Sequence, residues 1–139
     1  MKLLFQIMSF IHVTLYKLTG GSMGGKMNGV DILLLTTTGR KSGKIRTTPL
    51  MYFQDSGKYF ITASAGGADQ HPGWYWNAAK STQPVQIQVK DDVMTVNVEE
   101  APTQERDRLY QRFIEMLDQF AGYEKKTGRT IPVLILTPQ

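Results

Sequence analysis

Four cations and three hydroxyls gather between Gly39 and Thr48: Arg40, Lys41, Lys44 and Arg46, with Ser42, Thr47 and Thr48 among them. Gly39 and Gly43 tolerate the positive φ that a chain reversal asks for. Arginine offers a planar fork of donors, lysine a point charge, and hydroxyls and turn amides neutral donors. A turn of this composition can hold a phosphate or carboxylate from several sides, or stand as a solvated hairpin tip. Downstream, Ala63-Ser64-Ala65-Gly66-Gly67-Ala68 is a small-residue loop, followed by His71-Pro72 and the aromatic pair Trp74-Tyr75.

Other chemistries are excluded by what is missing. The chain has no cysteine and two histidines, His12 and His71, so thiolate nucleophiles, disulfides, zinc ribbons and multi-histidine metal centres are out. Neither G-x-G-x-x-G after a strand nor G-x-S-x-G occurs, which removes the dinucleotide fold and the hydrolase elbow. Gly20-Gly21-Ser22-Met23-Gly24-Gly25-Lys26-Met27 has P-loop spacing, but Met27 stands where a magnesium-binding hydroxyl belongs and a helix precedes it. It reads as a flexible linker. With 139 residues, 41% hydrophobic and 20% charged, the chain suits one globular domain. Its net charge of +4, without a Lys/Arg tract, favours a small anionic ligand or an anionic lipid surface over nucleic acid.

The elements that must position these residues follow from periodicity. Residues 2–18 carry apolar side chains with Lys2, Gln6, Ser9, His12 and Lys17 at helical spacing, which predicts an amphipathic helix too interrupted to span a bilayer. Such a helix packs on the core or a second subunit, or lies on a membrane with Lys2 and Lys17 toward anionic headgroups. From Asp31 the pattern becomes that of strands: 32–38, 44–53 and 58–62, the last two joined at Asp55-Ser56-Gly57. Pro49 marks a bulge or an edge. Pro72 opens a short helix, 84–90 and 93–99 form a hairpin around Asp91-Asp92, and 131–137 is a last strand. Residues 103–120 read as one helix with Leu109, Phe113, Met116, Leu117 and Phe120 inside and Glu105, Arg106, Arg108, Arg112 and Glu115 outside. About six mostly antiparallel strands with few helices give an α+β chain built on a small barrel.

Three ordered stretches carry a resemblance: Leu35 to Gly43 with Arg46-Thr47-Thr48-Pro49-Leu50; Ala63 to Ala68 with His71-Pro72, Trp74-Tyr75 and Asn77; and Tyr123 with Arg129-Thr130-Ile131-Pro132-Val133. Together they resemble the deazaflavin-dependent nitroreductase family, from about Asp31 to the C-terminus. The resemblance implies a split β-barrel, related to flavin-binding barrels, over residues 31–139; residues 1–30, which it does not cover, read from their own pattern as helix and linker. It implies the deazaflavin coenzyme F420 in preference to FMN, and hydride transfer to a quinone, nitroaromatic or similar conjugated acceptor; a coenzyme carrier without turnover is the alternative. No metal is implied.

F420 carries a phosphodiester and an oligoglutamate tail, both anions. By the resemblance Lys41 and Arg46 hold the tail, with Arg40, Ser42 and Thr48 beside them, and Pro49, Ala63, Gly66, Gly67, Trp74 and Tyr75 lie along the coenzyme. Ser64 and Tyr123 face the acceptor, where a hydroxyl orients it or gives a proton. Phe120 stands where some members have tyrosine, and Ala65 where lysine is frequent. A cytoplasmic protein at the inner face of the cell membrane is the expected setting.

Overall fold

The computed structural model describes residues 2–80 and 82–139, leaving the side chains of Lys2 and Phe5 outside the description. Helix α1 (Lys2–Thr19) leads into a two-residue strand β1 (Lys26–Met27) and the long strand β2 (Val30–Thr38). After the basic turn come β3 (Ile45–Met51), β4 (Phe53–Asp55) and β5 (Lys58–Thr62), then a single 3-10 turn at Ala65–Gly67 and helix α2 (Gly73–Ala79). The hairpin β6 (Val85–Val89) and β7 (Asp92–Glu100), helices α3 (Thr103–Met116) and α4 (Gln119–Lys126), and strand β8 (Val133–Pro138) complete the chain.

Every strand pairing among the described residues is antiparallel, in the order β1-β2-β6-β7-β8-β5-β4, with β3 on β2. The expected 44–53 strand is bent at Tyr52, whose N–H donates to Asp31 O at 3.1 Å. Its first part pairs with β2 (Ile32↔Met51 to Thr38↔Ile45) and its last part with β5 (Phe53↔Phe60), so one segment closes the sheet into a split barrel. Pro49 lies in β3, which pairs with β2 alone among the described residues; lacking an N–H, it suits that open edge.

Alternation then fills two cores. Leu33, Leu35, Ile61, Ile87, Leu134 and Leu136 point into the barrel, all at most 1% exposed. Their neighbours Phe60, Val133 and Ile135 point outward, where Leu109, Tyr110, Phe113 and Phe120 of α3 and α4 cover them. Strand β8 is therefore buried on both faces, which is why it reads as an unbroken apolar run.

Two expectations for 103–120 need correction. The helix stops at Met116, and Leu117 is extended at φ −157° and ψ 116°. No Gly or Pro marks the break; it lets two helices lie on the barrel, with Phe113 and Phe120 rings 5.4 Å apart and the Tyr110 hydroxyl donating to Phe120 O at 2.7 Å. Arg106, expected outside, is 7% exposed. Its Nε donates to Ile131 O (2.8 Å), Nη1 and Nη2 reach Asp107 (2.8 Å) and Glu124 (3.2 Å), and the guanidinium lies 4.5 Å from the Tyr110 ring centre. Charge satisfied on all sides can be buried, and here it ties α3, α4 and the approach to β8 together.

Helix α1 is anchored by Tyr16, 1% exposed against Ile32 and Leu34. The phenol donates to Gln88 O (3.2 Å) and accepts from Lys90 N–H (2.8 Å). The linker is not loose: Gly21 N–H donates to Tyr16 O (3.0 Å), Met23 N–H to the Thr19 hydroxyl (2.9 Å), and His12 Nε2 meets Gly24 O at 2.6 Å. The other face of α1 is bare, with Leu3, Leu4, Ile7, Met8, Ile11 and Leu18 between 47% and 78% exposed. No helix among the described residues is long and apolar enough to cross a membrane.

Candidate active site

The basic turn is a defined structure. Gly39 N–H donates to Lys44 O and Gly43 N–H to Gly39 O, both at 2.8 Å, while the Ser42 hydroxyl accepts from Lys44 N–H at 3.2 Å. Asn77 of α2 braces it by accepting from Arg40 N–H at 3.1 Å. These amides are therefore engaged within the protein. The side chains are free for an anion: Arg40, Lys41 and Arg46 are exposed and, among the described residues, pair with no carboxylate. With Ser42, Thr48, Trp74, Trp76 and Asn77 they line a cavity of about 460 Å³ that has no acidic residue among the described residues of its wall. Arg40 lies 6.0 Å from the Trp76 ring centre.

A second cavity, of about 440 Å³, opens beside the first and shares Thr48 and Trp74 with it. It lies where the barrel is split: the open edge of β3 (Thr48, Pro49, Leu50, Met51) is on one side and the end of β5 with the loop beyond it (Thr62, Ser64, Ala65, Gly66) on the other. Met27 and Ile32 add apolar wall, and α4 supplies Gln119, Phe120 and Tyr123. Gln119 Nε2 donates to the Tyr123 phenol oxygen at 2.7 Å, one helical turn away, so the phenol's own proton is left for another acceptor. Besides Gln119 and Tyr123, the polar side chains of this wall are those of Thr48, Thr62 and Ser64, and the rest of it is apolar.

The loop that carries Ser64 is held from behind by Arg129. Its Nη2 donates to Ala63 O and Ser64 O (both 3.0 Å), its Nε to Ala68 O (2.9 Å), and its Nη1 meets His71 Nδ1 at 2.8 Å. An arginine only donates, so His71 accepts at Nδ1 and carries its proton on Nε2. Burial first, and then the charge of Arg129, holds the His71 pKa below its usual value. Gly67, at φ +83°, is packed so that a Cβ would sit 3.1 Å from Tyr123 Cα, while Gly66, at φ +63°, faces open space. Gly67 thus sets the loop against α4, and Gly66 presents bare backbone to the cavity.

Of the residues expected at the site, Arg40, Lys41, Ser42, Arg46 and Thr48 share the first cavity, and Thr48, Pro49, Ser64, Gly66 and Tyr123 the second, with Trp74 in both. Three do not line either. Ala63 is fully buried, Gly67 lies under α4, and Tyr75, 3% exposed, packs in the barrel core and donates to Glu100 at the end of β7. Sequence reasoning assigned no role to Met27, Gln119, Trp76, Asn77 or Arg129. Asn77 and Arg129 belong to the motif stretches, which was a usable signal; Met27 and Gln119 are brought in by pairings no spacing displays.

Comparison with known proteins follows the same lines. Residues 8–138 match the family model described as F420H(2)-dependent quinone reductase, so the match takes in most of α1, beyond the reach of the motifs. An F420H(2)-dependent quinone reductase of Mycobacterium tuberculosis is 36% identical over 133 residues, covering 91% of this chain and 87% of the relative. A solved F420-H2 dependent reductase superposes with a TM-score of 0.67 at 42% identity, covering 76% of this chain and 92% of that one. A pyridoxinephosphate oxidase family protein from Clostridium acetobutylicum, 14% identical with a TM-score of 0.53 (77% and 74% covered), shares the fold alone. On sequence and fold, the chain belongs to the F420H(2)-dependent quinone reductase family, an oxidoreductase family that uses coenzyme F420.

Proposed function

We propose that the protein reduces a quinone with F420H2, the acceptor standing in the apolar cavity between β3, Ser64 and Tyr123. The observation that carries this reading is the junction at Thr48 and Trp74 of two unlike cavities, one cationic and one apolar with hydroxyls. The residues fit the coenzyme: unpaired Arg40, Lys41 and Arg46 suit its phosphodiester and tail, and the open backbone at Gly66 suits a flat ring. When bound, the reduced coenzyme supplies a hydride. The protein's part is to orient the acceptor, exclude water through Met27, Ile32, Leu50, Met51 and Phe120, and offer a proton from Tyr123 or Ser64 to the acceptor oxygen. One hydride and one proton turn a quinone into its quinol. Nitroaromatics are flat and electron-poor, and fit the same walls.

A lipid surface as the place of work is supported by α1, whose eight exposed large apolar residues have no counterpart elsewhere among the described residues. A lipid-soluble quinone is met there, at the inner face of the cell membrane. Lys17 lies on a different side of the helix, toward β3, and the Lys2 side chain is outside the description, so apolar burial carries this proposal.

Steady-state oxidation of F420H2 with a panel of quinones and nitroaromatics tests the activity. Quinone-dependent turnover above that with nitroaromatics is expected; no acceptor-dependent oxidation refutes it. Sedimentation with anionic vesicles tests the surface. The Ile7→Lys/Ile11→Lys double variant should stay in the supernatant with an unchanged Tm, and sedimentation equal to wild type refutes it.

A further inference from the structure

A third cavity, of about 470 Å³, runs between α1 and β3 on the far side of Arg46. Its helix wall is one stripe of α1, Gln6, Ser9, Phe10, Val13 and Lys17, spaced at three and four residues; its strand wall is Arg46, Thr47 and Thr48. Arg46 and Thr48 also line the cationic cavity, so the two adjoin. Among the described residues, six of the eight in the wall are polar, two of these are cations and none is acidic. Both cations are exposed and, among the described residues, neither pairs with a carboxylate.

We propose that this groove is a binding site for the distal glutamates of the F420 tail, with Lys17 as the residue that reads tail length. The inference rests on the F420 reading above and adds α1 to the coenzyme site. A γ-linked glutamate chain bears one carboxylate per unit. Arg40, Lys41 and Arg46 neutralise its first part, and a longer chain must either enter water or continue past Arg46. The groove offers that continuation a cation at its other wall and hydroxyl or amide groups from Ser9, Gln6 and Thr48 between, the Thr47 hydroxyl being paired with that of Thr36 at 3.0 Å. An apolar quinone tail would cover Lys17 and Arg46 without offering either a counter-charge, so an anionic chain is the better occupant.

The test measures Kd by fluorescence titration at low salt for two coenzyme forms, one with a multi-glutamate tail and one with no glutamates. Wild-type protein and the Lys17→Ala, Lys17→Glu and Ser9→Glu variants are compared, each with its Tm. Lys17 is exposed, so the variants should fold. The proposal expects the tailed form to lose about two- to fivefold in Lys17→Ala, the range of one exposed ion pair, and more in the two acidic variants. The glutamate-free form should bind all four proteins alike, and added salt should erase the difference. Equal losses for both forms, or none for either, overturn the groove's role while leaving the F420 reading standing. An unchanged Kd with a raised quinone KM assigns the groove to the acceptor and overturns it too. Failure of both coenzyme forms to bind wild type removes the F420 reading and this inference with it.

Discussion

Replacing Arg129 with alanine removes four hydrogen bonds behind the loop that carries Ser64. Their loss is unequal. Ser64 O keeps the Gly67 N–H at 2.9 Å, while Ala68 is exposed and His71 half-buried, so both can turn to water. Ala63 is fully buried, and its carbonyl has the least access to a substitute. One buried acceptor left bare, plus the net worth of the weaker bonds, comes to about 2 kcal/mol. In a domain of this size that lowers Tm by roughly 6–10 °C. Because Ser64, Ala65 and Gly66 line the apolar cavity, a loosened loop should also raise KM for the acceptor more than it lowers coenzyme affinity. Thermal unfolding and steady-state kinetics on Arg129→Ala and Arg129→Lys measure both; lysine, with a single ammonium, should recover only part. An Arg129→Ala protein with wild-type Tm and wild-type KM would refute the idea that the guanidinium holds the loop.

Other outcomes follow from the same geometry. Arg46→Ala should weaken F420 binding by about 1 kcal/mol, roughly fivefold, because the pair is solvent-exposed, and leave Tm unchanged; equal Kd values by titration would make the turn mere surface. Tyr123→Phe and Ser64→Ala should lower kcat more than coenzyme affinity, and the reverse split would remove them from the acceptor side. Gly67→Ala should cost about 2 kcal/mol or more, since a Cβ meets Tyr123 backbone at 3.1 Å, whereas Gly66→Ala meets nothing and should cost about 1 kcal/mol of strain; urea midpoints separate them. The depressed pKa of His71 means the folded state binds fewer protons than the unfolded one below pH 6.5. Stability should therefore be full above pH 6.5 and fall as pH drops through the folded pKa, a slope that His71→Asn removes in Tm scans.

Local chemistry was legible in the sequence wherever neighbours along the chain decide the outcome. The basic turn, the hairpin at Asp55-Ser56-Gly57 and the alternation that fills the barrel are of this kind, and so are the motif stretches that converge on Thr48 and Trp74. What escaped depends on partners distant in sequence. Arg106 fits an outer helical stripe by spacing, and only Ile131 O and Glu124 make its burial tolerable. Leu117 has no breaker beside it; the break comes from fitting Phe113 and Phe120 to one sheet face. Tyr75 sits next to Trp74 in sequence, yet a helix turns the two toward different spaces, barrel and groove.

The central claim is that the paired cavities bring F420H2 and a quinone together. It is tested most directly by a single-turnover experiment: protein loaded with F420H2 is mixed anaerobically with a short-chain quinone and the reappearance of oxidised deazaflavin is followed. The account predicts one equivalent of oxidised coenzyme per site, at a rate that Tyr123→Phe slows while the loaded fraction stays constant. Oxidation no faster than that of free F420H2 with the same quinone would contradict it.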